Sequence, residues 1–140
     1  MDMFNAKVYK VMVGSLSGTM EEVYVAKETI RKWNLENAER TGKLFLPIEW
    51  SGKFEPNSVD VVMGIVGNWI ETYLHTEEFV KANERMVFFF NSFYDPKNTI
   101  PGERNSVNEF KRRVKTLGTC IEYNCLDEFN RLLNCSLNTL

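Results

Sequence analysis

Histidine occurs once and cysteine three times in these 140 residues. Cys120, Cys125 and Cys135 include no C-x-x-C pair, and their spacings of five and ten fit no common zinc finger. With a single histidine beside them, no metal site is expected. An odd number of unpaired thiols is read as reduced, which points to the cytoplasm. No stretch approaches the roughly 18 apolar residues of a membrane span, and the opening MDMFNAKVYK lacks the apolar core of a signal peptide. A membrane is therefore not an expected partner. Positive charge is not in excess either. Lys and Arg total 17 against 19 Asp and Glu, for a net charge of −2, so nothing attracts a polyanion and nucleic acid is not expected. The one basic cluster, Lys111, Arg112, Arg113 and Lys115, is read as a solvated helix face. There are no internal repeats and no low-complexity segments. What remains is an ordinary globular composition, 44% hydrophobic, of a length that suits one domain spanning 1–140 with a core of its own.

The stretch around which the chain is organised is Lys7 to Glu22, KVYKVMVGSLSGTMEE. Val8, Val11 and Val13 are β-branched and predict a strand that Gly14 ends. Thr19 and Glu22 have capping-box spacing and predict the start of a helix. Gly14-Ser15-Leu16-Ser17-Gly18 then lies between the end of a buried strand and the positive end of a helix, where open α/β sheets bind ligands. The loop is not a Walker motif, because its spacing differs and it has no lysine.

Further along, a helix is expected from Met20 to about Arg40, with Met20, Val23, Ala26 or Lys27, Ile30 and Trp33 on its inner face and Gly42 as its stop. Lys43–Trp50 reads as a strand with Pro47 near its end or on an edge, and Ser51–Ser58 as a loop. Val59–Val66 reads as a central strand, with a buried helix as the alternative, since a short apolar run does not separate the two. A helix is expected from Trp69 to about Ala82, a central strand over Met86–Phe90, and a long loop over Asn91–Arg104. Ser106 and Glu109 repeat the capping-box spacing before a helix whose inner stripe is Val107, Phe110, Val114 and Leu117, stopped by Gly118. Thr119–Tyr123 reads as a last strand. Asn124 is then expected to cap a helix with Leu126, Phe129, Leu132 and Leu133 inward. Strands alternating with helices imply a three-layer, flavodoxin-like α/β fold: a mostly parallel sheet of about five strands with helices on both faces.

The segments KVMVGSLSGTMEEVYVAKETIRKWN, FLPIEW, VDVVMGIVGNW, MVFFFNSFYDP and EFKRRVKTLGTCIEYNCLDEFNRLL together resemble a bacterial Toll/interleukin-1 receptor (TIR)-like domain, within an uncharacterised bacterial subgroup. The resemblance implies a flavodoxin-like sheet and a role in bacterial signalling or anti-phage defence. It also implies NAD as a substrate, with no further cofactor. Many such domains cleave the nicotinamide–ribose bond; others assemble with one another and recruit partners. In the enzymes a glutamate four residues after a tryptophan, and about eight before the residue that ends its helix (here Asn83), engages the ribose. Here the fourth residue after Trp69 is Tyr73, and the eighth before Asn83 is His75, so the carboxylate is displaced. The family's acidic helix between strands two and three has no counterpart pattern.

Glu71 and His75 are accordingly the candidate catalytic residues. A carboxylate at Glu71 would accept ribose hydroxyls and stabilise the cation that forms as nicotinamide leaves; its structural alternative is a first-turn acid facing the helix dipole. His75 would bond a ribose, or serve as a half-exposed packing residue. Gly14, Ser15 and Ser17 would bind a nucleotide through backbone and hydroxyl donors, or form a turn with local bonds. Trp50 and Trp69 would stack on its base, or belong to the core. Whether the chain is an enzyme at all stays open. NAD cleavage, a related nucleoside deoxyribosyltransferase-like reaction, and a non-catalytic self-associating module are the three expectations.

Overall fold

The computed structural model describes residues 3–16, 18–49, 59–67, 85–93 and 101–140. Their elements run β1 (Lys7–Ser15), α1 (Met20–Thr41), β2 (Lys43–Glu49), β3 (Val61–Val66), β4 (Arg85–Asn91), α2 (Pro101–Val114), β5 (Thr119–Tyr123) and α3 (Leu126–Thr139). The five strands form one sheet in the order β2-β1-β3-β4-β5, and every neighbouring pair is parallel. That order is the flavodoxin-like one. Val59–Val66 resolves as a strand rather than a helix. It is buried on both faces from Val61 to Val66, as a central parallel strand must be.

Period-two alternation divides the core into two layers. Val11, Val13, Met63, Ile65, Val87 and Phe89 turn to one face, where α1 and α3 cover them with Ile30, Trp33, Phe129 and Leu133. Met12, Val62, Val66, Met86, Phe88 and Phe90 turn to the other, against Val107, Phe110 and Val114 of α2. Full burial of a side chain such as Phe89 contributes about 1.5–3 kcal/mol. Phe89 meets Phe129 edge-on at 5.1 Å between centroids, and Phe88 meets Phe110 edge-on at 5.6 Å. Gly64 has a packing reason: a Cβ there would lie 2.7 Å from the Phe88 ring and 3.1 Å from Leu16.

Several local expectations are corrected. Gly14 does not end β1; it lies within the strand, paired with Gly64, and the strand continues through Ser15. Met20 is 58% exposed, because it sits at the first position of α1 before the helix settles on the sheet; Val23, Ala26, Ile30 and Trp33 are the buried stripe. α2 begins at Pro101, a favourable residue for a first helical turn. Ser106 is therefore inside the helix, its hydroxyl donating to the Gly102 carbonyl at 3.2 Å, and it caps nothing. Residues 101–104 of the expected loop Asn91–Arg104 therefore belong to α2, and residues 94–100 lie outside the described residues. Leu117 lies past the end of α2 and is 46% exposed. The N-cap of α3 is Cys125 rather than Asn124; Asn124 instead donates its N–H to Glu128 at 2.9 Å. Leu126, first in that helix, is exposed, while Leu132 is partly buried against the core. Gly42 follows α1 at φ +69°, in the left-handed conformation, and returns its N–H to the Ala38 carbonyl, as a helix stop should.

The outer edge of β2 is closed along most of its length. Lys7 donates to the Gly42 carbonyl, so residues 42, 44, 46 and 48 face β1 and residues 43, 45, 47 and 49 present their backbone outward. The Lys43 N–H goes to the Thr41 hydroxyl at 3.2 Å. The Asn34 side chain clasps Phe45 from both sides, accepting its N–H at 2.9 Å and donating to its carbonyl at 2.7 Å. Pro47 has no N–H to offer.

Candidate functional site

β1 and β3 are adjacent in the sheet, and the chain leaves β1 toward β2 on one side and β3 toward β4 on the other. Their carboxyl ends form the switch point where doubly wound sheets hold ligands. The loop leaving β1 is tied down at that point. Leu16 donates its N–H to the Ile65 carbonyl at 2.9 Å, and the Thr19 hydroxyl donates to the same oxygen at 3.0 Å. Leu16 itself is fully buried, so the loop carries a core residue at its centre.

The hydroxyls form a one-way relay. The Thr19 proton is committed to Ile65, so at 2.9 Å Ser15 must be the donor to Thr19. Ser15 Oγ in turn accepts the Thr19 N–H at 2.8 Å. Both hydroxyl protons are thus consumed within the loop, and Thr19 makes no cap bond to the helix. The Thr19–Glu22 capping box does not form, because each side chain has a longer-range partner. With the cap absent, the N–H groups of Met20, Glu21 and Glu22 have no acceptor among the described residues. They point along the positive end of α1.

Glu22 turns inward. It is 9% exposed and accepts the Tyr123 hydroxyl at 2.6 Å. Burial, and then the adjacent Glu22 carboxylate, push the Tyr123 phenol well above the ordinary tyrosine range. Beside the start of α1 lies a shallow, apolar groove of about 410 Å³, lined by Met20, Glu21, Tyr24, Val25 and Leu126. Tyr24 is 68% exposed.

Of the residues expected at the site, the structure describes Gly14 and Ser15. Gly14 is spent in the sheet and Ser15 in the relay. Ser17, Trp50, Trp69, Glu71 and His75 lie outside the described residues. Helical spacing alone does not single out Glu21, Tyr24 and Leu126, because the groove joins the starts of two helices more than a hundred residues apart. The signal available was Tyr24, an aromatic residue off the inner stripe of α1; Leu126 falls at inward spacing in its helix and gave none. Among the described residues no three His, Cys, Asp or Glu side chains cluster as metal ligands, and no helix is long and apolar enough to cross a membrane. The thiols of Cys120, Cys125 and Cys135 are free.

No protein-family model matches this chain, and no curated protein matches it. Among solved structures, it is similar to S. aureus homoserine dehydrogenase at pH 7.0, with 8% identity and a TM-score of 0.48 over 84% of this chain and 33% of that one. It is also similar to the flavodiiron protein from Giardia intestinalis, with 13% identity and a TM-score of 0.38 over 96% of this chain and 35% of that one. The chain spans about a third of the length of these structures.

Proposed function

We propose that the chain binds a nucleotide at the carboxyl ends of β1 and β3, with NAD the class that the TIR-like resemblance names. The observation that carries this is the pinned loop. Leu16 and Thr19 fix it to Ile65, while the first amides of α1 have no acceptor among the described residues. Those amides suit a phosphate. Glu21 in the groove lining suits ribose hydroxyls, and the apolar groove with Tyr24 suits a planar base. In this reading Glu71 or His75 stands against the ribose, and a carboxylate there would stabilise the cation left as nicotinamide departs. A deoxyribosyltransferase-like reaction would use the same group as a nucleophile. A bacterial signalling or defence role follows from the same resemblance, and the cytoplasm from the odd number of thiols.

A second reading is a non-catalytic interaction module. It is favoured by the relay, which leaves neither Ser15 nor Thr19 a hydroxyl proton for a ligand.

Nicotinamide release from NAD by purified protein, beside Glu71→Ala, separates the two. Release that Glu71→Ala abolishes supports the enzyme with Glu71 at the ribose. Release that survives moves the role to His75. With no release, NAD binding is measured directly, beside Met20→Glu. That substitution adds a charge at the mouth of α1 that the helix itself tolerates. It is expected to weaken NAD by about fivefold, or about 1 kcal/mol. Absence of binding leaves the interaction module.

A further inference from the structure

The two edges of the sheet are finished differently. β2 is sealed by Thr41, Asn34 and Pro47. β5, the other outer strand, has no such device among the described residues. Ser92 donates its N–H to the Tyr123 carbonyl at 2.8 Å, so residues 119, 121 and 123 face β4 and the backbones of Cys120 and Glu122 face outward. Among the described residues, neither N–H nor carbonyl of Cys120 or Glu122 has a partner. Unsealed strand edges are templates for another strand.

We propose that β5 pairs antiparallel with β5 of a second copy, about a twofold axis at Ile121. This inference is independent of whether the nucleotide reading holds. The register is self-complementary. An axis at Ile121 sets Cys120 of each copy opposite Glu122 of the other, which closes two hydrogen-bonded pairs. It sets Ile121 opposite Ile121 in the closer, non-hydrogen-bonded position, and Ile121 already packs on the core, so the core continues across the axis.

Charge selects the same register. Lys115 and Lys111 act electrostatically on Cys120, and Lys111 is ion-paired with Glu122 of its own chain. Opposite Cys120, the carboxylate of the second copy enters the positive field of Lys115 that Cys120 already experiences. The symmetric alternative centred on Glu122 sets two carboxylates against each other, which is unfavourable. The alternative centred on Cys120 sets Glu122 opposite Gly118, whose N–H is already given to the Val114 carbonyl, so that pair loses one of its two hydrogen bonds. The strand is short, with five residues, so the dimer is a weak one.

Sedimentation equilibrium up to millimolar protein tests this. Wild type is expected to show a monomer–dimer equilibrium. Glu122→Pro removes an N–H that no bond among the described residues uses, and is expected to raise the dissociation constant by about tenfold or more with an unchanged far-UV spectrum. Should that variant not fold, Lys115→Glu is expected to weaken the dimer and Lys115→Glu/Glu122→Lys to restore it. In a Cys125→Ser/Cys135→Ser background, Glu122→Cys is expected to give a disulfide-linked dimer through Cys120 when diamide oxidises the thiols. A wild type that stays monomeric overturns the proposal. So does a dimer that survives Glu122→Pro, or a folded Glu122→Cys variant that does not cross-link.

Discussion

The phenol of Tyr123, at the end of the last strand, donates to the carboxylate of Glu22, in the first turn of the first helix, across 2.6 Å of buried interior. One hydrogen bond thereby joins residues 101 positions apart and holds the start of α1 over the far side of the sheet. Tyr123→Phe keeps the ring and its contacts with Phe129 but leaves Glu22 without this donor. A cost of about 1–3 kcal/mol is expected, read as a fall in urea midpoint with unchanged slope. In a double-mutant cycle with Glu22→Gln, the two losses should not add.

The same pair sets an alkaline limit. The folded state holds the Tyr123 phenol above the ordinary tyrosine value, so the unfolded chain loses that proton first. The stabilisation is complete below about pH 10 and is lost as pH rises toward the folded value, by at most about 1.4 kcal/mol per pH unit. Urea midpoints measured from pH 9 upward should fall less steeply in Tyr123→Phe than in wild type. Equal slopes would show that the phenol does not carry the effect.

Gly64 has no room for a methyl group. Gly64→Ala would press on Phe88 and Leu16 and is expected to cost about 1–3 kcal/mol. Phe88→Leu in the same chain should recover part of that loss, since the nearest ring atoms are then gone. A double variant no more stable than the sum of the two single losses would locate the strain elsewhere.

The relay makes its own prediction. Thr19→Val is close in shape but removes the bond to Ile65 and the acceptor for Ser15. About 1–2 kcal/mol should be lost, and hydrogen exchange at the Leu16 amide should quicken as the loop loosens.

Asn34→Ala would strip Phe45 of both edge bonds. The expected signs are a loss of about 1–3 kcal/mol and concentration-dependent aggregation in light scattering, which wild type should not show.

The sheet was legible in the sequence because burial writes itself locally: VVMGIV and MVFFF are apolar throughout, and parallel central strands are buried on both faces. Gly42 was legible for the same reason, since a left-handed stop depends on its own residue. The caps were not. Thr19 with Glu22, and Ser106 with Glu109, have the right spacing, but Thr19 bonds to Ile65, Glu22 to Tyr123, and Ser106 to the helix it was expected to begin. Spacing predicts a local bond only where no distant partner offers a better one. The groove of Tyr24 and Leu126 was hidden likewise, because it exists only once α1 and α3 lie side by side.

The clasp of Asn34 on Phe45, with Thr41 and Pro47 on either side, gives the sheet a valence of one. With the proposed pairing at β5 and the β2 edge closed along most of its length, growth by edge pairing terminates after a single step. A chain with two open edges could propagate into a fibre; this one has a built-in chain terminator at its second strand.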